Sequence, residues 1–530
     1  MNKYSIGLDY GTASARGVLV DILSGESITT VAHPYADGVI DQSLPGEDAP
    51  LPADWALQNP ANWLDALEEI IPALLAESGV SAQDVIGIGI DFTACTILPA
   101  TMDGAPLCFI DKYRHHPHAW AKLWKHHAAQ SQADKVNKLA SETGESWLAR
   151  YGGKISSEWF IPKALQVIEE APEIFEAAET FVEGCDWVAW QLTGKLIRNT
   201  CAAGYKANWH KTSGFPSSEF LGALHPQLKN LYTEKFTSAT FAPGTNIGGI
   251  TSEWAEKLGL EVGTPVGAPI IDAHSATIGG GVSQPGTMFM IMGTSTCHML
   301  MAEEEVLVEG ISGVVEDGIV PGLFGYEAGQ AGVGDIFGWF VENAVPPAYH
   351  LEADERGISL HTLLAEKASK QKPGESGLLA LDWWNGNRST LVDANEATAF
   401  GTRMIIEAFT QQKVAVQNIV AGGGLTKNEF LIQIYADITG REIAIAGEEQ
   451  ASALGAAILG AVAAGKKAGG YDSVQEAVSK MTPSPKRVFH PNKKNALIYE
   501  QIYAEYQRLY DYFGRGENNV MKTLRQLRKV

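Results

Sequence analysis

The stretch YSIGLDYGTASARGVLVD, residues 4–21, decides how the chain is read. Ile6 and Leu8 alternate with other residues on one side of a short polar interruption, and Val18 and Val20 on the other, the period-two pattern of two strands joined by a turn. Asp9 stands just before the interruption, Gly11, Thr12 and Ser14 build it, and Arg16 follows. Small residues there leave backbone N–H groups and two hydroxyls for an anion such as phosphate, with Arg16 close by. An ordinary hairpin with a polar tip fits the same residues equally well.

Further along, TMFMIMGTSTCHMLMA (287–302) repeats this plan around Gly293, Thr294 and Ser295. Two such hairpins predict an internal duplication, with one phosphate-facing turn in each half. GIGIDFTACT closes an apolar run on Asp91 as GAPIIDAHSA does on Asp272, so each half is expected to offer a strand ending in an acid. The Gly-Lys-Ser/Thr ending of a Walker loop is absent from these turns. Strand-like runs at 5–8, 17–22 and 86–91 alternate with helical patterns such as ANWLDALEEIIPALLAES, which places the chain in the α/β class. In IVAGGGLTKNEF, a strand over 419–421 leads into Gly422, Gly423 and Gly424 and a helix expected to begin near Lys427. That arrangement suits a ligand at a helix N-terminus or tight packing of strand on helix. With the small-residue helix SALGAAILGA beyond it, the pair suggests an adenosine pocket.

A chain of 530 residues is too long for one core, and the turn-rich APGTNIGGIT near 242–251 is the expected boundary between lobes 1–245 and 246–530. Residues 105–235, rich in Trp, His and Lys, read as an insertion on the first lobe. A formal net charge of -22 argues against nucleic-acid binding. Five cysteines without CxxC spacing indicate neither a disulfide framework nor a zinc knuckle, and point to a reducing cytoplasm. The longest apolar run, ALGAAILGAVAA, is shorter than the roughly 20 residues of a membrane span and reads as a buried helix; no signal peptide or membrane partner is expected. The five histidines of RHHPHAWAKLWKHH (114–127) lack paired Cys or Asp residues and are expected to pack or face solvent rather than hold zinc.

Longer strings carry a resemblance. GIGIDFTACTILP, KLWKHHAAQ, RYGGKISSEW, CAAGYKANWH, MGTSTCHM, GVVEDGIVPG, GYEAGQ, PGESGLLALDWWNGNRS, AFGTRMIIEAF and YDYFGRG are similar to FGGY carbohydrate kinases of the actin-like ATPase superfold, and within them to the ribulokinase branch. The resemblance implies two duplicated, ribonuclease H-like lobes around a cleft. It also implies phosphorylation of L-ribulose by ATP with Mg²⁺, giving L-ribulose 5-phosphate in arabinose catabolism. A homodimer is compatible with it. Phosphoryl transfer asks mainly for in-line placement, charge neutralisation and a base, and Asp272 is the residue expected to be that base. The other reading of Asp272 is a helix cap. For the sugar, the family pattern points to Ala94, Lys206, Asp272 and Glu327. For the nucleotide it points to Asp9 on magnesium, to Gly11, Thr12, Ser14, Arg16, Gly293, Thr294 and Ser295 on phosphates, and to Gly423, Gly424 and Asn428 beside adenosine. Kinases for D-ribulose, xylulose or ribitol, and an actin-like ATPase without a sugar substrate, are the competing readings.

One departure stands out. In ribulokinases a strand and the start of a helix separate the equivalents of LVDAN and EATAFGTR, whereas here Glu396 follows Asn395 directly, an apparent deletion of roughly twenty residues that would remove a strand from the second lobe. An inactive deletion form is therefore a further reading. The family's namesake phenylalanine is replaced in AGGY, residues 468–471.

Overall fold

The computed structural model describes residues 2–380, 395–515, 518 and 520. The LDWWNGNRS string and residues 390–394, before the 395/396 junction, lie outside these. Two seven-stranded sheets carry the fold. Tyr4–Tyr10 and Ser14–Asp21 pair antiparallel as the opening stretch predicts, with Asp9 opposite Arg16, and Ser27–Pro34 extends that meander. On the other side of Tyr4–Tyr10 runs Val85–Phe92, parallel, followed by Pro265–Gly267 and Asn246–Gly249, while Ile270–Ile271 also joins Val85–Phe92.

The second sheet repeats the plan. Thr287–Met292 and Thr296–Ala302 form its hairpin, Phe324–Gln330 and Gly313–Glu316 continue the meander, and Asn418–Gly422, Ile443–Ile445 and Arg487–Phe489 lie beyond the hairpin's first strand. In each sheet the hairpin's first strand has its parallel neighbour on the side away from the turn partner. The duplication read from the two Gly-Thr turns thus extends to strand order.

Two sequence expectations need correction. The strands at 246–249, 265–267 and 270–271 belong to the first sheet, so the change of sheet falls between Ile271 and Thr287 rather than at 245/246. It follows that the strands ending on Asp91 and Asp272 are not counterparts in separate halves. They are neighbours in one sheet, and the strand matching Val85–Phe92 in the second sheet ends on Gly422.

The helix Ala451–Ala464 comes late in the chain yet lies on the first sheet. Its small residues permit close contact with strand glycines. A methyl group on Gly7, Gly87 or Gly89 would come within 1.9, 2.1 and 1.8 Å of the carbonyl oxygens of Ala453, Gly460 and Ala456. The same helix packs on Asp272–Gly279, where a methyl on Gly279 would stand 1.9 Å from the Ala451 carbonyl.

Together with residues near 55–58 and 97–100, the insertion has a core of its own, built around Trp55, Trp120, Trp147, Trp159 and Phe160, with a four-stranded sheet of Leu57–Gln58, Ala121–Lys122, Ile97–Ala100 and Thr180–Glu183. His118 and His126 pack edge-on against Trp55, and bond to Glu170 and Gln166 at 3.1 and 2.9 Å. Ion pairs from Arg150 to Glu305 (2.8 Å) and from Lys211 to Glu316 and Asp317 (2.8 and 2.7 Å) join the insertion to the second lobe. Among the described residues, no helix is long and apolar enough to cross a membrane.

Candidate active site

Strand register builds the centre of the site. Tyr4–Tyr10 and Ile270–Ile271 both run parallel to Val85–Phe92, with Asp9 and Ile270 each in register with Asp91. Parallel strands present their carboxyl ends at one edge, so Asp9, Asp91 and Asp272 are brought together there. Asp272 stands in the first turn of Asp272–Gly279, where a carboxylate is favoured by the helix dipole. It is not the N-cap, which is Ile271; its Oδ1 accepts a hydrogen bond from the adjacent Ala273 N–H at 2.7 Å.

Packing three acids together has a cost that shows in their protonation. Burial raises all three above the ordinary carboxylate range, and the Asp9 charge adds to the effect on Asp91 and Asp272. Asp272 is pushed up to about 7. Asp91 is fully buried, and neither of its carboxylate oxygens has a hydrogen-bond partner of ordinary geometry. Arg16, 3.8 Å from Asp9, is the cation beside this edge. A hard divalent cation held by oxygen ligands would offset the remaining negative charge, so the acids present suit Mg²⁺.

Across the cleft, Lys206 from the first lobe donates to both oxygens of Glu327 on the second sheet at 3.0 and 2.8 Å. Burial alone would pull the Lys206 ammonium down, but the Glu327 carboxylate holds it above its ordinary value. His274 places Nε2 3.6 Å from Glu327, and its ring lies 4.3 Å from that of Tyr205. Burial lowers His274 to about 4, so its imidazole is neutral near pH 7.

Lys206, Asp272, His274 and Glu327 face a cavity of about 700 Å³ between the lobes. Of the expected residues, Ala94, Lys206, Asp272, Ser295 and Glu327 line it; the others do not. Asp9 stands close enough to Asp272 to raise its pKa. Thr12 is tied from two sides: its hydroxyl accepts from Trp124 Nε1 at 3.1 Å and its carbonyl from Gln58 Nε2 at 2.8 Å. The Gly11 N–H bonds to the Ser14 carbonyl and the Gly293 N–H to the Ser295 carbonyl, each at 2.9 Å. Those two amides therefore close their own turns, contrary to the expectation that they would be open to an anion.

The glycine run lies beside the second turn because Ile291 pairs with Gly422. Gly423 takes φ +93°, and a methyl there would meet the Met292 carbonyl at 2.5 Å, so both conformation and space require glycine. A 3₁₀ turn covers Gly424–Lys427, and the α-helix begins at Glu429, two residues later than expected. Asn428 caps that helix, its side-chain oxygen accepting from the Leu431 N–H at 3.1 Å.

Sequence reasoning assigned no role to Asp91, His274 or Trp124. For Asp91 the signal was the strand ending shared with Asp272. For His274 and Trp124, which line the cavity, no local pattern marks the tertiary neighbours that bring them there.

The N-terminal domain of the FGGY family of carbohydrate kinases matches residues 4–279, and the C-terminal domain of the same family matches residues 288–395 and 394–464. A ribulokinase of Shouchella clausii is 52% identical over 100% of this chain and 98% of its own, and one of Geobacillus thermodenitrificans is 51% identical over the same shares. The fold is similar to that of a xylulose kinase from Rhodospirillum rubrum (TM-score 0.76, 20% identity, 96% of this chain and 98% of that one). It is likewise similar to that of Plasmodium falciparum glycerol kinase with ADP (TM-score 0.72, 16% identity, 96% and 98%). With one domain match spanning more than half of the residues and relatives of this identity running the whole length, the chain belongs to the FGGY family of carbohydrate kinases.

Proposed function

We propose that the chain transfers the γ-phosphoryl group of ATP to the terminal hydroxyl of L-ribulose, giving L-ribulose 5-phosphate and ADP for arabinose catabolism. The relatives' shared name supplies the sugar, and one observation carries the chemistry: Asp272, a half-buried acid pushed up to about 7, faces the same cavity as the Lys206–Glu327 pair. A ketopentose offers hydroxyls in fixed directions, and a charged pair gives them directional hydrogen bonds. Lys206 and Glu327 hold the sugar in this reading, with Ala94 contributing to the wall of its seat. Asp272 takes the proton of the terminal hydroxyl as its oxygen bonds to the γ-phosphorus, and the bond to the β–γ bridging oxygen breaks with its electron pair leaving on ADP.

The phosphates lie between the two turns, near Thr12, Ser14 and Arg16 on one side and Thr294 and Ser295 on the other. Gly423, Gly424 and Asn428 border the adenosine. Mg²⁺, held by Asp9 directly or through water, would supply charge neutralisation on the phosphates. The two lobes exclude water from the transferred group when they close over both substrates.

The deciding measurement is coupled ADP release with L-ribulose, D-ribulose, xylulose, ribitol and no sugar. L-Ribulose should give the highest kcat/KM, with slow ADP release in its absence. Sugar-independent ATP turnover would support the actin-like ATPase instead, a higher kcat/KM on another pentulose would reassign the substrate, and no turnover at all would mark an inactive form.

A further inference from the structure

Lys163 is 1% exposed and lies on the helix Phe160–Glu170 of the insertion, outside the lining of the cavity. Its ammonium donates to three main-chain carbonyls, those of Cys95 at 2.6 Å, Leu123 at 2.9 Å and Lys122 at 3.1 Å. An ammonium has three N–H donors, so this set uses all of them. The Glu183 and Glu158 carboxylates favour its charged form, while its hydrogen bonds go to backbone. Here it gathers two separate pieces of backbone, and each leads into the cavity.

The first piece is the turn after Val85–Phe92, whose Thr93 and Ala94 line the cavity. Cys95 within it takes φ +56°, a left-handed conformation uncommon for a side chain of its kind. The second piece is the Ala121–Lys122 strand and Leu123, which lead into Trp124, also on the cavity wall. A backbone held in a sparsely populated conformation needs its surroundings to keep it there, and the bond from Lys163 to the Cys95 carbonyl is the shortest of the three.

We infer that Lys163 is a positioning residue for the sugar: from beneath the cavity it fixes the Cys95 turn, and with it Ala94, against the segment that presents Trp124. The inference rests on the sugar seat proposed above. Removing the ammonium leaves three buried carbonyls without their donor and frees the left-handed turn to relax, which moves the wall of the sugar seat first and reaches the Thr12 turn only through the Trp124 bond.

Lys163→Met tests this by steady-state kinetics, using whichever pentulose the wild-type chain phosphorylates best. The expected result is a rise of about tenfold or more in KM for the sugar, with a smaller rise in KM for ATP, about fivefold at most because Trp124 also donates to Thr12, and a smaller change in kcat. Arg198→Met is the control, because Arg198 is fully buried in the same lobe, donates to Thr180 Oγ1 at 2.9 Å and does not line the cavity. It should lower Tm without separating the two KM values. If Lys163→Met lowers Tm but leaves the sugar KM unchanged, or raises both KM values by the same factor, the inference is overturned. Should that variant fail to fold, Lys163→Gln, which keeps two donors, is scored by the same two outcomes. Wild-type turnover judges the proposed reaction, and the variant-to-wild-type ratio judges Lys163, so either can fail without the other.

Discussion

In the first hairpin Asp9 stands opposite Arg16, whereas at the matching place in the second Ile291 stands opposite Cys297. Behind the first turn, side chains of the insertion and its sheet, Trp124 and Gln58, hold Thr12. Behind the second, backbone does the holding: the N–H groups of Val333 and Gly334 bond to the carbonyls of Thr294 and Gly293 at 2.9 and 3.0 Å, where the helix Gly334–Asn343 begins. The two halves therefore keep one backbone plan and distribute charge unequally. Acids collect at the first sheet's edge, while the corresponding parallel strand of the second sheet ends in glycine. Under the proposed reaction, proton and cation chemistry belong to the first half, and the glycine run of the second borders the nucleotide.

The largest effect that would sharpen this contrast comes from Asp272→Asn. Turnover should fall by about 10²- to 10⁴-fold with the circular dichroism spectrum unchanged. Near-normal turnover would take the base away from the first sheet's edge. Next, Asp9→Asn should raise the Mg²⁺ concentration for half-maximal activity by about 10- to 100-fold, while Cys297→Ser, opposite in the second hairpin, should leave it where it is. Equal shifts in the two variants would break the asymmetry.

A third test uses pH. Asp272 must be ionised to accept a proton, and its pKa is pushed up to about 7, so kcat/KM for the sugar should be level above that pH. Below it, kcat/KM should fall by about tenfold per pH unit. A profile flat down to pH 5 would exclude this carboxyl as the group that ionises. The smallest effect belongs to the tether of the first turn. Gln58→Leu removes one neutral hydrogen bond to the Thr12 carbonyl, worth about 1 kcal/mol, and should raise KM for ATP by about fivefold with little change in sugar KM. Titration of each substrate in turn would separate the two constants.

The shared plan of the two halves was legible in the sequence, whereas their unequal charge was not, and that has a physical reason. Alternating Ile6, Leu8, Val18 and Val20 around small turn residues specified the first hairpin, because local pattern and local structure coincide there. The positions of Asp91 and Asp272 as strand endings were equally readable. Their adjacency was not, since Val85–Phe92 meets Ile270–Ile271 only after the chain has built the whole insertion. The misplaced lobe boundary has the same origin: strands of two to four residues at 246–271 give weak periodicity, and nothing local says which sheet they rejoin. The Lys206–Glu327 pair likewise joins residues 121 positions apart, and no local pattern around Lys163 marks its distant carbonyl partners.

The placement of Ala451–Ala464 bears on biosynthesis. The glycine-lined face of the first sheet has no cover until that helix arrives, so the N-terminal portion cannot complete its fold while the remainder is still on the ribosome. Fragments ending soon after Gly279 should bind chaperones or precipitate, and supplying the missing C-terminal segment in trans should rescue them.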